Sequence, residues 1–209
     1  MSAVREVVSS NDQKYAEAEQ SRLMRTLMAR LFSTTQARVD AYSPTSLLDA
    51  GCGEGHVRRF MTLPERYVGL DASEKSIAAC RRAHPGARFQ VGSVYNLDFP
   101  DAAFDVVLCM EVLEHLERPT EGLRELVRVA GRGVVVTVPF EPVFQLGNAM
   151  RGKYPGTWGN HPEHIQHWGR RSFPRFLEGS GLLDEVSVTV AGPWLVGSGR
   201  PRPGTRSSR

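Results

Sequence analysis

Cysteine is scarce in this chain, and long apolar runs are missing from it. The three cysteines, Cys52, Cys80 and Cys109, show no paired metal-ligand spacing, and their odd number argues against a disulfide framework. Their plain reading is buried small side chains. The longest apolar run, around GVVVTVPF, is too short to cross a bilayer, and the opening MSAVREVVSSNDQKY has no apolar core of a secretion signal. These absences predict a cytoplasmic protein without a membrane span. The body of the chain also lacks an excess of either charge: Arg200, Arg202, Arg206 and Arg209 alone outnumber the formal surplus of +3. A near-neutral body without aromatic residues interleaved among basic ones argues against a nucleic-acid partner.

What is present suits one globular domain. At 209 residues, 41% of them hydrophobic and 23% charged, the chain can bury a real core. Residues 11–42 carry apolar side chains at helical intervals (Leu23, Met24, Leu27, Met28, Leu31, Phe32), which predicts an N-terminal helical cap over residues 1–45. Strand and helix patterns then alternate: SLLDAG, EGHVRRFMTL, RYVGLDA, SEKSIAACRRA, ARFQVGS, FDVVLCM, PTEGLRELVRVA and GRGVVVTVPF. Strands that are apolar on both faces and separated by helices predict an α/β fold, a Rossmann-like, doubly wound and mostly parallel sheet. Farther on, RRSFPRFLEGSGL predicts a helix opened by Ser172, and DEVSVTVAGPWLVGSG predicts an antiparallel C-terminal hairpin turning at Gly192-Pro193. The main domain is thus expected over residues 46–199, with an insertion at about 139–171. A flexible basic tail over 200–209 follows.

In such sheets a ligand lies beyond the carboxyl ends of the strands. Here those ends carry Asp49, Gly51, Asp71, Gly92, Ser93, Met110 and Glu111. The stretch GCGEG, Gly51 to Gly55, frees the backbone to meet a ligand directly. A dinucleotide turn would follow GxGxxG, but His56 stands where that pattern needs its last glycine. Two carboxylates, Asp49 and Glu54, flank the glycines and suit a cationic amino-acid tail better than a pyrophosphate. Asp71 is placed to accept the hydroxyls of a ribose, and Ser73 is available to cap the following helix in its stead.

LLDAGCGEG, YVGLDAS, FQVGSVYNLDFPDAAFDVVLCMEVLEHL and GVVVTVPFEP, in this order, resemble the class I S-adenosylmethionine-dependent methyltransferases, of the type that modifies small molecules. The resemblance runs from about Ser46 to Val138. It implies that S-adenosylmethionine is the cofactor, that Asp49, Gly51, Cys52 and Gly53 face its methionine part, and that Asp71 holds the ribose. Ala72 would pack near adenine, with Gly92, Ser93 and Val94 along its edge, Ser93 replacing the acid common in the family. Met110 and Glu111 would approach the methionine carboxylate and the sulfonium.

Methyl transfer from a sulfonium needs alignment and the exclusion of water, and a hydroxyl acceptor also needs a base or a metal. His115, in EVLEH, is the candidate base; a helical turn there would put Glu111, Glu114 and His115 on one side. The insertion carries Phe140, Phe144, Tyr154, Trp158 and Trp168, which could wall a substrate or form a small core of their own, and it clusters His161, His164 and His167. EVLEH and HPEHIQHWGRRSF together resemble the metal site of the small-RNA terminal ribose 2′-O-methyltransferases. That resemblance implies Glu111, Glu114, His115 and His164 as ligands of a divalent metal. The expected activity is methyl transfer to an oxygen, or a nitrogen, of a small-molecule acceptor. The alternative is metal-assisted O-methylation of an RNA ribose 2′-hydroxyl or of a catechol or quinol. Sequence leaves the oligomeric state open.

Overall fold

The computed structural model describes residues 21–141, 143, 145 and 164–204. Within them seven strands form one sheet: β1 (Ser46–Ala50), β2 (Arg66–Asp71), β3 (Arg88–Val91), β4 (Phe104–Met110), β5 (Ala130–Pro139), β6 (Leu183–Ala191) and β7 (Trp194–Pro201). Their order is β3-β2-β1-β4-β5-β7-β6. All neighbours pair in parallel except β7, which runs antiparallel to β5 and to β6. The helices are α1 (Arg22–Asp40), α2 (His56–Phe60), α3 (Glu74–Ala83), α4 (Pro119–Val129) and α5 (Ser172–Gly179). The expected doubly wound sheet with its C-terminal hairpin is present.

Alternation along the strands makes two cores. In β1 and β4, Leu48, Val107 and Cys109 face one side of the sheet, where Leu123, Leu126 and Val127 of α4 and Phe173 and Leu177 of α5 cover them. Leu47, Val106, Leu108 and Met110 face the other side, under Met28, Leu31, Phe32 and Val39 of α1, Val57 of α2 and Ile77 and Cys80 of α3. Strands buried on both faces read as continuous apolar runs, which is why their boundaries are visible in the sequence. Each such Leu or Val contributes roughly 1.5–3 kcal/mol relative to exposure.

Local chemistry sets the helix ends. Ser21 and Ser73 cap α1 and α3, their hydroxyls accepting from the N–H groups of Met24 (3.4 Å) and Ser76 (3.2 Å). Pro119 opens α4, where its missing N–H costs nothing.

Ser172 opens α5 as its first residue, as expected; Arg171 stands at the N-cap, and the Ser172 hydroxyl accepts from the N–H of Gly169 at 2.8 Å. One expectation needs correction. The tail expected over 200–209 does not begin at 200, because β7 runs through Pro201. Arg200 and Arg202 pair with Glu185 and Asp184 across the hairpin, at 2.8 Å each. The N-terminal helix packs along β5, β6 and β7 and so is part of the sheet's cover.

The chain builds outward from β1 to β3, then returns to place β4 on the other side of β1. This reversal opens a crevice between the carboxyl ends of β1 and β4, the place where doubly wound sheets bind ligands.

Candidate active site

The turn after β1 forms the floor of that crevice. The N–H groups of Gly51 and Cys52 both donate to the Leu70 carbonyl, at 2.7 and 2.9 Å, and tie the turn to β2. Gly51 has φ +86°, and a Cβ there would stand 2.3 Å from Val112. Gly53 has φ +52°, but an added Cβ would meet nothing within 4 Å among the described residues. The first glycine is therefore required by close packing, whereas the second borders open space that a ligand can enter.

Asp71 ends β2 and reaches back over this turn. Its Oδ2 accepts from the N–H of Gly53 at 2.9 Å and its Oδ1 from the N–H of Ser73 at 2.8 Å. A carboxylate has about four acceptor positions, so two fixed bonds orient the group and leave capacity for two hydroxyls. Ala72 beside it is exposed. The β3 end continues the rim: the N–H of Gly92 donates to the Asp71 carbonyl at 2.9 Å, Ser93 is exposed and Val94 is buried.

Asp49 sits below the crest. It is 1% exposed, and its Oδ2 accepts from the Tyr67 hydroxyl at 2.8 Å. Burial, with a smaller contribution from nearby Asp71, pushes its carboxyl up to about 7, against the opposing effect of the Tyr67 bond. Its Oδ1 has no hydrogen-bond partner among the described residues. Tyr67 is a partner that sequence reading missed; only its place on β2, in register with Leu47 on β1, could have suggested it.

The β4 end departs from the expected helical turn. Glu111 adopts φ +56°, and only Leu113–His115 form a short 3-10 turn. The Glu111 carboxylate is claimed by the neighbouring strands, Oε1 accepting from the Thr137 hydroxyl at 3.2 Å and Oε2 from the Trp194 indole N–H at 2.8 Å. Hence Glu111 does not join the proposed metal ligands. The other three do converge: ligand-capable atoms of Glu114, His115 and His164 all lie within 4.8 Å of one another. Glu114 is fully buried, and its Oε1 stands 4.0 Å from His115 Nε2.

Backbone bonds bring His164 there. The N–H groups of Ile165 and Gln166 donate to the Glu114 carbonyl, at 2.9 and 3.0 Å, and the Gln166 side chain donates to the Leu116 carbonyl at 3.0 Å. Among the insertion aromatics, Trp168 is buried and packs on Phe173 and Phe176, with ring centroids 5.5 and 5.2 Å away, so it belongs to the core and not to a substrate wall. Phe140 is half-buried, while Phe144, Tyr154, Trp158 and His161 lie outside the described residues.

Together these features define an α/β domain with a Glu-His-His cluster beside the crevice, Glu114 and His164 buried and His115 half-buried. Residues 48–138 match the family model described as a methyltransferase domain. A Mycolicibacterium smegmatis protein named "Probable S-adenosylmethionine-dependent methyltransferase" is 36% identical over 147 residues, 69% of this chain and 54% of that protein. Ajmaline N-methyltransferase of Rauvolfia serpentina is 32% identical over 103 residues, 46% of this chain and 35% of that enzyme. The chain thus spans about a third to a half of these curated relatives. The crystal structure of magnesium protoporphyrin IX methyltransferase from Synechocystis PCC 6803, with SAH bound, superposes with a TM-score of 0.62 at 16% identity, over 93% of this chain and 96% of that one. This chain belongs to the class I S-adenosylmethionine-dependent methyltransferases, and S-adenosylmethionine is its cofactor.

Proposed function

We propose that this chain moves the methyl group of S-adenosylmethionine to an oxygen, or a nitrogen, of a small-molecule acceptor. The observation that carries the reading is Asp71, anchored by Gly53 and Ser73 and still able to accept a ribose diol beside open space at Gly53. The remaining rim residues are assigned with it: Gly51 and Cys52 in the turn, Ala72, Gly92, Ser93 and Val94 toward adenine, Met110 and Glu111 toward methionine. Asp49 contributes from beneath, its Oδ1 being an acceptor that an ammonium or a backbone N–H can satisfy. S-adenosylmethionine supplies an electrophilic methyl and leaves as a neutral thioether, so the protein's task is alignment. His115, with Glu114 4.0 Å away, is the group that takes a proton from a hydroxyl acceptor. The ajmaline relative is named as an N-methyltransferase, which keeps nitrogen in view. The three cysteines are buried free thiols, suited to a reducing compartment, and we place the protein in the cytoplasm with a small molecule as partner.

The Glu114, His115 and His164 cluster favours a second reading, in which a divalent metal assists an O-methyl transfer. Two imidazoles and one carboxylate are a fitting donor set. Such an ion would act as a Lewis acid on the acceptor oxygen.

Calorimetry tests the first reading: S-adenosylmethionine and its demethylated product should both bind, and nicotinamide dinucleotides should not. Failure of both nucleosides to bind would overturn it. A screen of acceptors with methyl-labelled cofactor, with and without chelator, separates the two readings. Turnover lost in chelator and restored by a divalent ion supports the metal, and indifference to chelator removes it.

A further inference from the structure

Glu141 lies two residues beyond β5, within GVVVTVPFEP but with no role assigned by that motif, yet it is 6% exposed and carries a carboxylate into the interior. Its Oε1 lies 2.7 Å from His164 Nδ1. The N–H of Glu141 donates to the Trp168 carbonyl at 3.1 Å, so its backbone is fastened to the strap that carries His164. Both elements of the contact are held by main-chain bonds independent of the side chains. His167 Nδ1 stands 3.6 Å from the same Oε1, but its side chain is 45% exposed, so it is the outer and weaker partner.

An imidazole whose Nδ1 meets a buried carboxylate at this distance carries its proton on Nδ1. Nε2 then bears the lone pair. With Nδ1 engaged by Glu141, Nε2 is the ligating atom that His164 offers to the cluster with Glu114 and His115. A carboxylate behind a ligating imidazole fixes its tautomer and rotation and raises its basicity.

We propose that Glu141 is the positioning residue of a transition-metal site formed by Glu114, His115 and His164, holding His164 so that Nε2 meets the ion. This inference rests on the metal-assisted reading given above. Two imidazoles and one carboxylate favour Zn²⁺ or Co²⁺ over the all-oxygen preferences of Mg²⁺ and Ca²⁺. Three protein ligands leave coordination positions for an acceptor.

The test uses the full chain, stripped with chelator and titrated with Co²⁺, whose visible ligand-field absorption reports nitrogen ligation without any need for turnover. Zn²⁺ affinity follows by competition with a chromophoric chelator. Wild type should take up one equivalent and develop the visible band, and His164→Ala should abolish it. Glu141→Gln should keep the melting temperature of the stripped protein and weaken Zn²⁺ binding by about 10–100-fold. His167→Ala should bind as wild type does. Should wild type take up no ion, the metal reading and this inference fall together. Should wild type bind while Glu141→Gln binds equally well, the metal reading stands and the role of Glu141 falls.

Discussion

The N–H of Gly53 donates to Asp71 Oδ2 at 2.9 Å, so the turn after β1 and the end of β2 are locked into one unit. In the proposed binding mode one carboxylate therefore has two tasks, shaping the turn and facing the ribose. Asp71→Asn keeps an acceptor for one task but loses charge and half the acceptor capacity, whereas Asp71→Ala loses both. We expect S-adenosylmethionine affinity to fall about 10-fold in Asn and 100-fold or more in Ala, since hydrogen bonds to a charged group are worth about 1.5–3 kcal/mol each. Calorimetric affinities within threefold of wild type for Asp71→Ala would refute the assignment.

Asp49 makes stability depend on pH in a defined direction. Its carboxyl is raised from 3.8 to about 7 by burial, so between these values the folded chain holds a proton that the unfolded chain has lost. Stability from this group is present at low pH and is lost as pH rises through that window, with a slope approaching about 1.4 kcal/mol per pH unit. Asp49→Asn should flatten the profile. Urea unfolding of both forms from pH 5 to pH 8, without cofactor, gives the difference. Parallel profiles for the two would show that Asp49 is ionised in the fold.

Much of this architecture was legible before the structure, for a physical reason. Strands such as Phe104–Met110 and Gly133–Pro139 are covered on both faces, and their unbroken apolar runs announce both strand and burial. The position of the crest is legible too, because GCGEG and YVGLDAS put glycines and acids where β1 and β2 stop. What escaped was what depends on main-chain association at long range. The strap carrying His164 is bound to Glu114 through the N–H groups of Ile165 and Gln166, which any residue type could supply. Glu111 looked like the first residue of a helical turn, yet Trp194, 83 positions away, holds its carboxylate while the backbone takes φ +56°. Glu141 sits in GVVVTVPFEP without an assigned role, and only its closeness to His164 gives it one.

Gly51 should be the least replaceable glycine of the turn. Alanine there would retain a left-handed φ and drive its Cβ into Val112 at 2.3 Å. Left-handed strain and overpacking each cost about 1–3 kcal/mol, so Gly51→Ala should lower stability by at least 2 kcal/mol or so. Gly53→Ala meets no atom of the described residues within 4 Å and keeps only the strain, yet its methyl enters the space assigned to the cofactor. It should lose affinity more than stability. Unfolding midpoints and cofactor affinities measured on both variants check the crossing pattern, and equal effects on both properties would refute it.

Arg128 ties the segment after the Gly92–Val94 rim to α4. Its guanidinium donates to the carbonyls of Leu97 (2.7 Å) and Phe99 (2.8 Å), to Glu125 (2.7 Å) and to Asp101 (3.0 Å), and Glu125 in turn accepts from the N–H of Leu97 at 2.9 Å. Arg128→Met keeps the apolar stem but strands two carboxylates and two carbonyls. Breaking a partly buried network of this kind should cost about 2–4 kcal/mol. Glu125→Gln retains an acceptor and should cost less, and the double variant should cost less than the sum, because both losses act on the same 97–101 segment. Urea midpoints at constant slope measure each value. Full additivity would mean that the two side chains hold that segment independently, and the network would have to be given up.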